Sequence, residues 1–309
     1  MPSKRILEVH GPSGAESTHA HRLHAAYLFD KNRGLPAKAA ATREREFAID
    51  PSREVSMSVL DDHRRALLEL SHELGVDHRK LAILGEGNTS SKLGHDTFLV
   101  KASGSNLATL REEDLVECSS SPLLALLDRT DVPDDEIDQT LFGCRVDPQA
   151  KKPSVEALFH AYLLSLPQVN FVGHTHPVSV NSILCSPLAE TFATHRLFPD
   201  EVVCCGPSSV FVPYADPGLK LAQCIRDRTS EFVHSHGAPP RVILLQSHGI
   251  ITLGGTAAAV KTAMFMAGKA AEIFAGSVPL GGPVFLPQAD IDRLVGRRDE
   301  HHRQRALGL

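Results

Sequence analysis

The sequence predicts an α/β fold, and three observations carry that expectation. An apolar run at residues 169–173 leads into His174-Thr175-His176-Pro177, and a second, at residues 242–245, leads into Gln246-Ser247-His248-Gly249. Both runs read as buried strands, and around them stand segments with helical spacing, among them residues 157–164 and 257–274. Both histidine groups fall at or just past a strand end, where open sheets of α/β proteins place their chemistry.

A chain of 309 residues that is 42% hydrophobic can bury a sizeable core. A net charge of -5 and an aromatic content of 5% argue against nucleic-acid binding, which needs a basic surface or stacking platforms. A small anionic substrate needs only a local positive site. The six cysteines, Cys118, Cys144, Cys185, Cys204, Cys205 and Cys224, show no C-x-x-C spacing and suit a reducing cytosol, so a cytoplasmic location is expected. No apolar leader opens the chain, and no stretch reaches the ~18 apolar residues of a membrane span, so neither secretion nor membrane insertion is expected.

Residues 1–51 are polar and broken by Gly11, Gly14, Gly34 and Pro36, and read as an arm. From Ser52 a helix is predicted by the spacing of Val55, Val59, Ala66, Leu67, Leu70 and Leu74, with Gly75 as its stop and His63 and His72 as surface or boundary residues. Residues 84–92 and the strand-like 97–101 suit a β-hairpin. The same glycines, amide and hydroxyls, with Ala102-Ser103-Gly104, also suit a loop that approaches a phosphate or carboxylate. Thr109-Leu110-Arg111-Glu112 has capping-box spacing and predicts a short helix. Farther on, the acidic run at residues 134–136 reads as a solvated face.

Ser154 is expected to cap the helix over 157–164, which ends before Pro167, with Glu156 in its first turn and His160 packed or at the surface. Such a helix start binds anions readily. Residues 178–184 predict a helix beside the first histidine strand. Residues 201–205 and 210–214 predict strands, with Cys204 and Cys205 as buried small hydrophobes on opposite faces. Asp216-Pro217-Gly218 predicts an N-cap with proline at the first helical position, opening a helix through about Phe232. A strand at 250–253 follows His248, and Gly254-Gly255-Thr256 caps a helix to about Phe274 whose small-residue face suits close packing. Residues 281–309 read as a proline- and charge-containing tail with His301 and His302 near its end.

In an extended strand His174 and His176 emerge on one face, one pleat apart, which is chelating geometry. A tetrahedral metal site that keeps a position open for substrate needs a third protein ligand, and His248 is the candidate because it follows the second strand. His234-Ser235-His236 repeats the spacing but follows a helix and precedes Gly237 and Pro239-Pro240, so it reads as decoration of a helix end.

Taken in order, Gly85-Glu86-Gly87-Asn88-Thr89-Ser90, Lys101-Ala102-Ser103-Gly104, Pro153-Ser154-Val155-Glu156, His174-Thr175-His176 and His248-Gly249 resemble the class II aldolase/adducin family. That family includes the fuculose- and rhamnulose-phosphate aldolases and the ribulose-phosphate 4-epimerases. The first two motifs look closest to the aldolase portion of rhamnulose-phosphate aldolase/dehydrogenase fusions. Extending over about residues 52–276, the resemblance implies a catalytic domain at 52–280 with three α/β/α layers and a central, largely antiparallel sheet. It implies a homotetramer with active sites between subunits. It also implies that His174, His176 and His248 hold zinc, or another divalent ion such as Mn2+, Co2+ or Fe2+, and that Glu156 is the catalytic acid/base. Asn88, Ser103, Gly104 and Ser154 would cradle the phosphate of a small-molecule substrate.

The activity so implied is retro-aldol cleavage of a sugar phosphate or related hydroxy-ketone, with the metal as Lewis acid stabilising an enediolate and Glu156 moving the proton. No Schiff-base lysine is needed, which leaves Lys101, Lys151 and Lys152 for anion attraction. Epimerisation, or decarboxylation of an oxo acid, would share the same metal and enolate. A non-catalytic adducin-like assembly module is a third class, one that would dispense with the metal ligands. Three departures stand out: Val155 replaces a second phosphate-binding serine of the fuculose-phosphate aldolases, none of Tyr27, Tyr162 and Tyr214 matches the segment of the family's catalytic tyrosine, and the arm before Ser52 has no counterpart in the short aldolases.

Overall fold

A computed structural model describes residues 51–306, and the expected arm up to residue 50 lies outside the described residues. The described chain opens with α1 (Pro51–Leu74), followed by a hairpin of β1 (Asn88–Lys92) and β2 (Thr97–Lys101), then β3 (Leu115–Ser119). Three helices, α2 (Ser121–Leu127), α3 (Asp134–Gly143) and α4 (Ala157–Ser165), lead to β4 (Phe171–Thr175). After α5 (Val178–Leu184), α6 (Ala189–Thr194) and α7 (Pro199–Cys205) come β5 (Val210–Val212), α8 (Leu219–His236), β6 (Val242–Leu245) and β7 (Gly249–Gly254). The chain closes with α9 (Ala257–Ser277), α10 (Gln288–Val295) and α11 (Arg298–Ala306).

The strands form one seven-stranded sheet in the order β3-β2-β1-β4-β7-β6-β5, antiparallel except for the β5–β6 pair. Side chains alternate across it, as the pleat requires. Phe98, Val100, Val172, Ile243, Leu245 and Ile251 enter a core shared with α2, α3, α4 and α8. Leu99, Phe171, Val242, Leu244 and Ile250 enter the opposite core, shared with α1, α5, α6, α7 and α9. This is the three-layer α/β/α arrangement with a largely antiparallel sheet, and β4 is its central strand. The small residues of α9, including Ala259, Ala263, Ala267 and Ala270, are buried in that second core. No described helix is long and apolar enough to cross a membrane.

Several local expectations are corrected. Residues 201–205 belong to the helix α7, because Pro199 opens it, Asp200 and Glu201 fill its first turn and Gly206 at φ 84° ends it. A short apolar run of β-branched residues does not by itself separate strand from buried helix. Cys204 and Cys205 are buried as small hydrophobes, but on a helix. Thr109 ends a 3-10 turn, Leu107–Thr109, that Asn106 caps by accepting from the Ala108 N–H at 2.8 Å. The box closes instead between Asp114 and the Arg111 N–H, at 3.1 Å.

Ser154 stands two residues ahead of the N-cap position of α4, which Glu156 occupies; the Ser154 carbonyl accepts from Ala157 N–H at 2.9 Å. Asp216 does not cap α8 with its side chain, which accepts from the Tyr214 hydroxyl at 3.0 Å; the helix starts after Gly218 and runs to His236. Beyond residue 281 the chain forms α10 and α11, with Ile291 and Leu294 buried against Val202.

Two features of this frame can be tested by unfolding. Gly75 ends α1, yet a Cβ there would fall 2.2 Å from the backbone N of Ala108, so the glycine is required by the close crossing of the 3-10 turn. Gly75→Ala should cost about 1–3 kcal/mol, read as a lower urea midpoint. His160 is fully buried, its Nδ1 2.6 Å from Ser90 Oγ, and burial holds its imidazole down to about 3. An unfolded imidazole titrates near 6.5, so between about 6.5 and 3 the unfolded chain binds a proton that the folded chain refuses. Stability from this group is full above about pH 6.5 and is lost as the pH falls, at most about 1.4 kcal/mol per pH unit. His160→Gln should therefore lose stability less steeply between pH 7 and 5 than the parent chain.

Candidate metal centre

The central strand delivers His174 within β4, fully buried, and His176 one residue past its end. Their Nε2 atoms lie 3.0 Å apart, as the shared face of the pleat predicts. His248 arrives from the tight turn between β6 and β7, where Ser247 has φ 54° and His248 N–H donates to Leu245 O at 3.1 Å. The Asn181 side chain, on α5, donates to the His248 carbonyl at 2.8 Å and fixes that turn. Glu156 faces the rings from the start of α4, with Oε1 3.4 Å from His174 Nε2 and 3.5 Å from His248 Nε2. One ligand atom from each of these four residues lies within 4.8 Å of the others. Gly249 makes the convergence possible: a Cβ there would fall 2.6 Å from both the Thr175 carbonyl and His176 Cδ2.

The electrostatics follow from the same contacts. His174 Nδ1 lies 3.0 Å from the Ile250 carbonyl, so Nδ1 carries the proton and Nε2 presents a lone pair to the cluster. Burial opposes charge on His174, but the Glu156 carboxylate outweighs it and lifts the imidazole above its ordinary value. Burial, with His174 and His248 nearby, pushes His176 down to about 3, so it is a neutral donor. Burial alone would raise the Glu156 carboxyl, yet the facing imidazoles hold it well below the usual carboxylate range. Three imidazoles and one anionic carboxylate, three of these four groups desolvated by burial, converge on one point. That donor set fits a divalent metal ion.

The residues expected to cradle a substrate begin with Asn88, on β1. Asn88 sits opposite His174 in the β1–β4 register, and its Nδ2 donates to Glu156 and, at 3.3 Å, to Ser154 Oγ. Its Oδ1 is buried without a hydrogen-bond partner among the described residues. Ser154 Oγ also accepts from the Glu156 N–H at 3.3 Å. Ser103 and Gly104 stand on the exposed loop after β2, with Gly104 at φ 77° and open space where its Cβ would be. Lys101 Nζ links that loop to the Gly85 loop, donating to Ser105 O at 2.7 Å and Gly85 O at 3.3 Å.

Asn88, Ser154, Glu156 and the three histidines therefore share one cluster, with Ser103 and Gly104 on an adjoining loop. His234 and His236 end α8 instead, His236 stacked on Phe232 at 3.9 Å. Tyr162 donates to Arg226 O and Tyr214 to Asp216, so neither hydrogen-bonds to the cluster. Two supporting residues were not visible as such in the sequence: Asn181, and Glu86, whose Oε2 lies 3.8 Å from His176 Nδ1. An amide within the apolar run 178–184 and a carboxylate between two glycines were the available signals.

Residues 65–275 match the family described as Class II Aldolase and Adducin N-terminal domain. The chain is 30% identical over 198 residues to the Uncharacterized oxidoreductase YuxG of Bacillus subtilis (strain 168), covering 62% of this chain and 26% of that protein. Over 130 residues it is 34% identical to the Methylthioribulose-1-phosphate dehydratase of Pseudomonas savastanoi pv. phaseolicola (strain 1448A / Race 6), covering 40% of this chain and 60% of that protein. It thus spans about a quarter and three fifths of the lengths of these two curated relatives. Among solved structures, the N-terminal class II aldolase domain of a conserved protein from Thermoplasma acidophilum superposes with a TM-score of 0.56 at 26% identity, over 77% of this chain and all of that one. An L-fuculose 1-phosphate aldolase shares the fold at 16% identity, with a TM-score of 0.56 over 75% of this chain and 94% of that one. By sequence match and by fold, the chain belongs to the class II aldolase and adducin family.

Proposed function

We propose that this chain is a metal-dependent carbon–carbon lyase of the aldolase type, acting on a sugar phosphate or a related small hydroxy-ketone. The observation that carries the reading is the meeting of the Glu156 carboxylate with three imidazole nitrogens at 3.4–3.5 Å from two of them, on a donor set that fits a divalent ion. His174, His176 and His248 would hold that ion, zinc or another of its divalent relatives. Bound there, it would supply Lewis-acid polarisation of the ketose oxygens.

The remaining work falls to the chain's own groups. Glu156, anionic and oriented by Asn88 Nδ2, takes the proton from the carbon beside the carbonyl in the condensation direction and returns it there in cleavage. Asn88 Oδ1, buried without a partner among the described residues, would accept from a substrate hydroxyl. Ser154, Ser103 and Gly104 supply hydroxyl and backbone donors for the anionic end. A second reading, dehydration of a ketose phosphate, is favoured by the 34% identity to the methylthioribulose-1-phosphate dehydratase, and it would use the same proton transfer by Glu156.

Purified protein should carry one divalent ion per chain by mass spectrometry, and His174→Ala should lose it. Glu156→Gln should keep the metal while turnover falls about 10²–10⁴-fold. On a panel of ketose phosphates, an aldehyde and a smaller ketone phosphate are the expected products. Loss of water without chain cleavage would establish the dehydratase reading, and full activity in Glu156→Gln would remove both.

A further inference from the structure

The strand β1 holds the start of α4 at two points. Asn88 Nδ2 donates to the Glu156 carboxylate and, at 3.3 Å, to Ser154 Oγ. Two residues farther along the same face of β1, Ser90 Oγ lies 2.6 Å from Nδ1 of His160, one helical turn after Glu156. The spacings agree, since two residues of strand advance about 6.6–6.8 Å and four residues of α-helix about 6 Å. A helical bond from the His160 N–H to the Glu156 carbonyl, at 3.2 Å, joins the two anchor points. Against β4, the same strand sets Asn88 opposite His174 and Ser90 opposite Val172. One strand is therefore the common reference for the His174 imidazole and for the carboxylate that meets it at 3.4 Å.

Packing alone does not call for the second anchor. Leu158, Phe159, Leu163 and Leu164 already bury α4 against the sheet. A fully buried imidazole whose Nε2 has no hydrogen-bond partner among the described residues carries a desolvation cost that a leucine there would avoid. Burial keeps the ring neutral, with a single N–H. An orphaned N–H is costlier than an orphaned lone pair, so Nδ1 carries the proton and donates to Ser90 Oγ. What that bond adds is register: apolar burial is non-directional, whereas a hydrogen bond fixes direction as well as distance. Resting on the reading of Glu156 as the proton carrier of a lyase, we infer that His160 is a positioning residue. Through Ser90 it fixes the first turn of α4 on β1, and so sets the Glu156 carboxylate against His174 and His248.

Crystal structures of the parent chain and of Ser90→Ala test the geometry without any substrate. In Ser90→Ala the Glu156 carboxylate should move by at least about 0.5 Å relative to the three histidines, the tolerance of a productive site, at unchanged divalent metal content. With the metal-loaded full-length chain and the ketose phosphate it turns over, Ser90→Ala and His160→Leu should lower kcat about 10–10²-fold with little change in KM. His160→Asn, whose amide can donate from the Nδ1 position, should recover most of that loss. In a Glu156→Gln background, Ser90→Ala should cost less than about twofold more, because its effect runs through the carboxylate; a merely structural role would multiply the two losses. Should His160→Leu not fold, Ser90→Ala carries the kinetic comparison alone. An unmoved carboxylate or an unchanged kcat in Ser90→Ala, losses that multiply with Glu156→Gln, or His160→Asn as poor as His160→Leu would overturn the inference. Should no ketose phosphate be turned over while the carboxylate still moves in Ser90→Ala, the lyase reading fails and the positioning role stands.

Discussion

The constraint on which the rest of this structure depends is the pleat of β4. Because side chains on a strand repeat every second residue, a histidine at 174 and another at 176 project to one side only if the chain stays extended through Thr175. The sheet enforces this by pairing β4 with β1 on one edge and β7 on the other. Each partner strand brings its own contribution: β1 places Asn88 beside His174, and the turn entering β7 carries His248. The centre is thus assembled by register. A slip of β4 by one residue would turn its own side chains, His174 among them, to the opposite face.

Charge is arranged as deliberately as geometry. A buried carboxylate and buried imidazoles each carry a desolvation cost, and here they offset one another only because they meet. The Ile250 carbonyl fixes which nitrogen of His174 holds the proton, so the lone pair is aimed before any ligand arrives. Gly249 and Asn181 then remove the steric and conformational freedom that would let His248 drift. On the neighbouring loops, the Lys101 ammonium ties the Gly85 and Ser105 carbonyls together.

Much of this was legible in the sequence because it rests on short-range periodicity. The H-x-H on an apolar run, the strand before His248, the β-hairpin at residues 88–101 and the helix after Glu156 all follow from local pattern. What escaped was decided by contacts distant in sequence or by competing caps. Residues 201–205 have strand-like composition, but Pro199 and the packing of Val203 and Cys204 against α9 make a helix. Asn106 captures the turn that Thr109 was expected to start. Asn181 and Glu86 support the histidines across 67 and 90 positions of sequence, and no local pattern announces such a contact.

The central claim is that three imidazoles meet to hold one divalent ion. X-ray absorption at the zinc edge of the zinc-loaded chain tests it directly. Three imidazole nitrogens at about 2.0–2.1 Å, with the outer-ring scattering of histidine, are predicted, and this signal should weaken by one ring in His248→Ala. A shell made of oxygen alone, a sulfur contribution from the cysteines, or a spectrum indifferent to His248 would contradict it.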